Sequence, residues 1–290
     1  MSAPSAPGGA PPEVAVLDDA DALVADVADR LLAAVGAALD ERPAPAPVHV
    51  VLTGGRIGGR ALAAVADAVG TDEGAPVDGG RQDGGGPAAL DWSRVHLWFG
   101  DERFVAADSD ERNDVQARAA LLRSPALHAA RWHPMPAAPP DTQPDDGPEA
   151  AVDAAARYAA ELAEHADDLG PGGATAPGVP AFDVLLLGVG PDGHVASLFP
   201  GRPSLGLRGV TVVVEDDAPK PPPLRLSLGA DALRAASEVW LVVSGEDKAV
   251  AVARGLDPDE YPVRTPAVAA RGRRATRWLV DRAAASQLHG

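Results

Sequence analysis

The sequence predicts an α/β fold, a mainly parallel β-sheet with helices on both faces. Three observations predict it. Short aliphatic, β-branched runs alternate with longer segments whose apolar residues recur at helical spacing. The segments between successive runs are long enough for crossover connections. The loops that follow the runs collect glycines and charges, and in open α/β sheets ligands bind at those carboxyl ends.

Taken in order, Glu13 to Leu17 reads as a short first strand. Asp18 or Asp19 is placed to cap a helix from about Ala20 to Leu39, whose apolar stripe is Leu23, Val24, Val27, Leu31, Leu32 and Val35. Pro43 to Pro47 is a break. Val48 to Leu52 is a strand buried on both faces. Thr53-Gly54-Gly55 then turns into a helix from about Ile57 to Val69. Residues 71 to 90 are rich in Gly and Asp and read as a surface loop. Val95 to Phe99 is a strand leading into Gly100-Asp101-Glu102-Arg103 and a loop to about Arg112. Asn113 to Leu122 is helical, Arg131 to Met135 a short strand, Pro136 to Gly147 linker-like, and Glu149 to Asp168 a strong helix. After a Gly/Pro-rich stretch from Leu169 to Pro180, Phe182 to Leu187 is the most apolar strand of the chain. Val210 to Val214 and Ser237 to Val243 are further strands, with the proline run Pro219 to Pro223 between them. A helix from about Lys248 to Arg254, a strand at Trp278 to Val280 and a short helix from Arg282 to Gln287 complete the reading. Residues 1 to 12 form an Ala/Pro/Gly/Ser tail without the features of a signal peptide. Residues 13 to 290 are expected to form one catalytic domain.

Composition removes several function classes. There is no cysteine, which excludes disulfides, thiolate nucleophiles and cysteine-bound zinc. No apolar run reaches the roughly 20 residues that span a bilayer. The formal charge of −17 and the lack of a long basic run argue against nucleic-acid binding. An anionic ligand would need local cations inside that negative field. Of 25 basic residues only Lys220 and Lys248 are lysines, the rest arginines. Either they are places where a compact ammonium is wanted, or they are survivors of a compositional bias.

Four constellations are candidates for chemistry. Thr53-Gly54-Gly55, between strand and helix, suits an anion held on backbone N–H groups, although an ordinary βα turn reads the same way. In Gly100-Asp101-Glu102-Arg103, Arg103 is placed to clamp phosphate or sugar oxygens, with Asp101 and Glu102 to orient it. The most informative is Gly188-Val189-Gly190-Pro191-Asp192-Gly193-His194, where a buried strand delivers three glycines, an Asp and a His. It places His194 at or near the start of a short helix and fits it for general-base work. Lys220 lies in a proline loop, and Lys248 opens a helix where Glu246 and Asp247, or a bound phosphate, offset it. The histidines are scattered along the chain without metal-ligand spacing. Ser197 is not in a Gly-x-Ser-x-Gly elbow.

Gly188 to Gly201 resembles the G-x-G-x-D-G-H-x-A-S-L-F-P-G signature of the 6-phosphogluconolactonases. Trp98 to Val105 is similar to that family's strand ending in G-D-E-R, with Asn113 where it has S-N. Pro219 to Pro223 and Ser244 to Ala249 are similar to its S-P-K-P-P and T/S-G-x-x-K-A segments. The pieces occur in the family's order from about Leu52 to Ala249. The resemblance implies the fold of the glucosamine-6-phosphate deaminases and ribose-5-phosphate isomerases. It also implies hydrolysis of 6-phospho-D-glucono-1,5-lactone in the pentose phosphate pathway. On it, His194 is the base with Asp192 beside it. Thr53, Gly54 and Gly55 hold the phosphate with Arg103 and a lysine, Lys248 ranking ahead of Lys220. Arg56, Asp101, Gly190 and Gly193 complete the expected binding set. Where the family has Ser-Gly-Gly-Ser-Thr-Pro, this chain has Thr53-Gly54-Gly55-Arg56-Ile57-Gly58, so hydroxyl donors after the glycines are missing. Backbone N–H groups around Gly190 to Gly193, or an arginine, are the expected oxyanion donors. No metal and no cofactor is implied. The expected partner is a small phosphorylated sugar lactone, without nucleic acid or membrane, for a cytoplasmic monomer or small homo-oligomer. Two rivals stand beside this reading. A deaminase or isomerase of the same fold would carry Asn-Glu where this chain has Leu198-Phe199. A sugar-phosphate sensor would need a DNA-binding element, and the first 47 residues offer a tail, a strand and one helix.

Overall fold

The computed structural model describes residues 11–70, 90–140, 147–166 and 178–288. Most of the expected N-terminal tail, of the Gly-rich loop and of the 169–180 stretch, with residues 141–146 of the linker-like segment, lie outside them. Ten strands are described: β1 (Glu13–Leu17), β2 (Val48–Leu52), β3 (Val95–Phe99), β4 (Asp101–Arg103), β5 (Arg131–His133), β6 (Val184–Gly188), β7 (Val212–Glu215), β8 (Arg225–Leu228), β9 (Glu238–Val243) and β10 (Ala275–Asp281). The α-helices are α1 (Ala20–Glu41), α2 (Gly55–Val69), α3 (Asn113–Leu121), α4 (Gly147–Glu164), α5 (Ala230–Leu233) and α6 (Ala249–Leu256).

Seven strands form one sheet in the order β1-β10-β9-β6-β2-β3-β5, and every pairing in it is parallel. All five residues of β2 and of β3 are buried, as expected of a sheet covered on both faces. Helices α1, α2 and α3 pack side by side. Helix α4 lies on the face carrying His96 and Trp98, where its buried Tyr158 bonds the backbone of Phe99. Asp19 is the N-cap of α1 and accepts from the N–H groups of Asp21 and Ala22.

The chain leaves β2 toward β3 and β5 on one side and β6 toward β9 and β10 on the other. The order therefore reverses between β2 and β6. A crevice opens at the carboxyl ends of strands at such a switch point.

Three readings are corrected. Asp101–Arg103 is not loop but the edge strand of a second, antiparallel sheet, β4-β8-β7, in which Arg103 pairs with Arg225. The chain after His194 forms tight turns and isolated bridges, not a helix. Residues 282–287 are turns, because the Asp281 carboxylate takes the Ala284 N–H at 2.7 Å and closes the chain locally. Among the described residues no helix is long and apolar enough to cross a membrane.

Candidate active site

A cleft of about 500 Å³ opens at the switch point, over the ends of β2, β6 and β9. Six cationic side chains line it, Arg56, Arg60, Arg103, Lys220, Arg225 and Lys248, against two carboxylates, Asp101 and Asp247. A chain of net charge −17 thus gathers local positive charge in one place.

On one wall, β2 ends in Thr53, whose Oγ1 accepts from the Gly188 N–H at 3.0 Å and ties two central strands together. Gly54 caps α2 without a side-chain hydrogen bond, and Gly54 to Ile57 face the cleft. The first-turn N–H groups and the positive end of the helix are therefore presented to it. A β-carbon on Gly54 would collide with the Asn113 amide, so the glycine is required by close approach. Arg56 is exposed at the rim, and Arg60 pairs with Asp21.

Asn113 organises the next wall. Its Oδ1 accepts from Arg103 Nη1 at 2.6 Å, and its Nδ2 donates to the Asp101 carbonyl at 2.8 Å. Asp101 is held further by Ser197 Oγ at 2.7 Å. The carboxylate of Glu102 does not orient Arg103. It is fully buried and accepts the N–H groups of Arg103, Asn113 and Asp114 at 2.9, 2.7 and 3.0 Å, with Arg112 at 3.6 Å. It anchors the start of α3 from within. Arg225 enters from β8, held by the Pro222 and Lys220 carbonyls at 3.1 and 2.9 Å. Burial lowers its pKa, opposed by the charge of Asp101.

The third wall carries the histidine. Nδ1 of His194 lies 2.5 Å from Asp192 Oδ1, and the ring packs on Phe199 with centroids 4.5 Å apart. With Nδ1–H donating to the carboxylate, the lone pair is on Nε2. Burial alone would raise the Asp192 pKa, but the His194 hydrogen bond and charge win and lower it. A β-carbon on Gly190 would overlap Nδ1 and Cε1 of the ring, so this glycine makes room for the imidazole. Ala196 also lines the cleft with φ 49°, a left-handed conformation costing a non-glycine residue about 1–2 kcal/mol.

The cleft therefore brings together Thr53, Gly54, Gly55, Arg56, Asp101, Arg103, Gly190, His194, Lys220 and Lys248. Asp192 and Gly193 are not on its wall. Asp192 reaches it only through His194, and Gly193, with φ +85°, packs against Thr265. The expected oxyanion donors of the turn are engaged: Gly190 N–H bonds the His194 carbonyl and Gly193 N–H the Gly190 carbonyl, each at 2.9 Å. Lys248 ends a single 3₁₀ turn before α6, with Asp247 at 3.4 Å. Asn113 and Arg225 were not among the expected binding residues. The alternation Leu224-Arg225-Leu226-Ser227-Leu228 was the signal, since it puts Arg225 and Ser227 on one strand face.

The histidines are scattered in sequence but not in space. His49, His96, His133 and His165 converge near the amino ends of β2 and β3 and the carboxyl end of the short β5, outside the lining of this cleft.

Comparison with known proteins follows the same line. The family model of glucosamine-6-phosphate isomerases/6-phosphogluconolactonase matches residues 18–278. A 6-phosphogluconolactonase of Streptomyces coelicolor is 44% identical over 96% of this chain and 95% of its own. One of Mycobacterium tuberculosis is 41% identical over 95% and 98%. Among solved structures, the 6-phosphogluconolactonase of Trypanosoma brucei superposes with a TM-score of 0.75 at 25% identity, covering 96% of this chain and 99% of that one. A monomeric glucosamine-6-phosphate deaminase, at 19% identity and TM-score 0.62, covers 94% and 99% and shares the fold. With the match spanning almost all of the chain and enclosing the cleft, this protein belongs to the glucosamine-6-phosphate isomerase/6-phosphogluconolactonase family.

Proposed function

We propose that this chain hydrolyses 6-phospho-D-glucono-1,5-lactone to 6-phospho-D-gluconate, with His194 as general base. The observation that carries the assignment is the Asp192–His194 pair at 2.5 Å at the edge of a cleft lined by six cations. The names of the relatives from Streptomyces and Mycobacterium support the same activity.

Each part of the cleft has a role in this reading. The substrate's phosphate sits against the first turn of α2, on backbone N–H groups of Gly54 to Arg56, with Arg103 and Lys248 supplying charge. That end of the molecule is not the reacting end, so its binding energy is spent on positioning. Asp192 fixes the tautomer that leaves Nε2 of His194 able to take a proton. Water attacks C1 as that proton leaves, and the carbonyl oxygen becomes an oxyanion. Because the N–H groups of Gly190 and Gly193 are used in the turn, the oxyanion is assigned to an arginine of the cleft instead, with Arg225 the buried one. The tetrahedral intermediate collapses by expelling the ring oxygen, which takes the proton back from His194. A lactone is an activated ester, so no metal and no covalent intermediate is required.

A deaminase or isomerase reading has less support. The residues after the histidine turn that would supply a second acid are Leu198 and Phe199, each 1% exposed and packed in the interior.

The test is the hydrolysis rate of freshly prepared lactone over its spontaneous rate, with chelator present. Wild type is expected to accelerate opening, and His194→Ala to lose about 10²–10⁴-fold in kcat. Normal turnover by the alanine variant would remove His194 from the mechanism, and no acceleration by wild type would remove the activity itself.

A further inference from the structure

Four of the seven histidines occupy one small volume at the end of the sheet opposite the cleft. His49 and His96 are register partners on β2 and β3, His133 ends β5, and His165 follows α4. The rings of His96 and His133 stack with centroids 5.0 Å apart, and His165 meets both edge-on at 5.3 and 4.8 Å. One ring nitrogen from each of His96, His133 and His165 lies within 4.8 Å of the other two.

The hydrogen bonds around this trio decide what it is suited to. His133 Nδ1 lies 2.7 Å from the Glu161 carboxylate, and His165 Nδ1 lies 3.0 Å from the Glu161 carbonyl. Both acceptors call for a proton on Nδ1. Both residues therefore carry the lone pair on Nε2, where that of His133 accepts from His96 Nδ1–H at 3.0 Å, the bond a metal would replace. A ligand imidazole whose other N–H is fixed by a carboxylate or a carbonyl is the usual outer-shell arrangement of a metal site. A second observation is independent of the trio. Trp98 Nε1–H donates to His49 Nδ1 at 3.0 Å, which places the His49 proton on Nε2, and that nitrogen is buried without a partner in the structure. A buried donor left unmade costs about 1–3 kcal/mol. The His49 ring lies beside the trio, its centroid 5.0 Å from that of His96. His165 is only partly buried, and with His96 it lines a second pocket of about 380 Å³, which gives an entry path.

We propose that His96, His133 and His165 bind a divalent first-row transition metal ion, of which Zn²⁺ is the representative, with Glu161 as positioning residue. All-imidazole ligation suits Zn²⁺, Ni²⁺ and Cu²⁺ over the oxygen-seeking Mg²⁺ and Ca²⁺. Tetrahedral bonds of about 2.0–2.1 Å need nitrogens about 3.3 Å apart, so closure asks for a side-chain adjustment of roughly 1–2 Å. The ion would clamp the end of α4 onto β3 and β5, far from His194. The proposal therefore stands or falls separately from the hydrolase reading.

The experiment is calorimetric titration of the untagged, chelator-stripped full chain with Zn²⁺, with Co²⁺ absorption spectra to report nitrogen coordination. Wild type is expected to bind one ion per chain with Kd of roughly 1 µM or tighter. His165→Gln, at a partly exposed position, is expected to weaken binding at least about 100-fold, and Glu161→Gln about 10–100-fold. His194→Ala is expected to leave it unchanged, and His165→Gln to leave chelator-insensitive lactone hydrolysis unchanged. No binding by wild type at about 100 µM Zn²⁺ would overturn the proposal. So would affinity that survives His165→Gln, or affinity that is lost in His194→Ala.

Discussion

Gly190→Ala isolates the placement of His194, the proposed base, from its chemistry. Gly190 is not among the residues with positive φ, so alanine meets no backbone penalty there. The added methyl would lie inside contact distance of His194 Nδ1, His194 Cε1 and Asp192 Oδ1. Ordinary contact begins near 3.4 Å, so the ring has to retreat by roughly 1 Å or more in a closely packed turn. The ring cannot retreat freely, because Phe199 packs on it and Asp192 holds Nδ1. A 1 Å misplacement of a catalytic group costs about 10²-fold, or roughly 3 kcal/mol in the barrier. Only the geometry near C1 changes, so the loss belongs in kcat, with KM within about threefold of wild type. The assay is lactone hydrolysis over the spontaneous rate, with the melting temperature measured alongside. A variant that melts like wild type and keeps kcat within about threefold would refute the claim that this glycine exists to seat the imidazole.

Two further predictions concern stability. Glu102→Gln replaces a carboxylate that accepts three N–H groups by an amide able to accept with only one atom, and leaves the 2%-exposed Arg112 side chain with a weaker partner. The expected loss is about 2–4 kcal/mol, read as a drop of roughly 5–15 °C in melting temperature, and a shift under about 2 °C would contradict the anchoring role. The second is a pH dependence measured with chelator present. Burial first, then the neighbouring imidazoles, push the His49 pKa down to about 3, so the folded chain keeps it neutral while the unfolded chain protonates it near 6.5. Its contribution is complete above pH 6.5 and falls by about 1.4 kcal/mol per pH unit below that, until the folded pKa is reached. Urea midpoints taken from pH 7 to pH 5 should fall less steeply in His49→Asn, and equal slopes would remove His49 from the acid response.

How much of this was legible in the sequence depends on how far each feature is local. Strands β2, β3, β6 and β9 were legible because they are buried and read as unbroken apolar runs. The turn Gly188–His194 was legible because glycine, proline, aspartate and histidine concentrate there within seven residues. Strand β4 was not, because it is three residues long, all charged, and pairs with β8 more than 120 residues later. Nothing within Asp101-Glu102-Arg103 separates a solvated loop from an edge strand whose middle carboxylate is fully buried. The alternation from Leu224 to Leu228 puts Arg225 on one strand face, but its place in the cleft is set by that same pairing.

The histidine cluster is the limiting case. Positions 49, 96, 133 and 165 have no common spacing, and local reading of each sees an ordinary core or helix residue. They meet because β2, β3 and β5 are consecutive in the sheet and parallel, so residues at equal depth fall side by side. His49 is opposite His96, and the next strand places His133 opposite Trp98, one pleat along the same face. Helix α4 then closes that face and delivers Glu161 and His165, which share it at i, i+4 spacing. Sheet order and register are therefore the information that the linear sequence conceals. The same order that opens the cleft at the carboxyl ends of β2 and β6 gathers the imidazoles toward the amino ends of β2 and β3. One topology thus builds two polar sites at opposite ends of the sheet. Only the first left a continuous motif in the chain, because its backbone turns sharply around the His194 imidazole while the second is made of side chains alone.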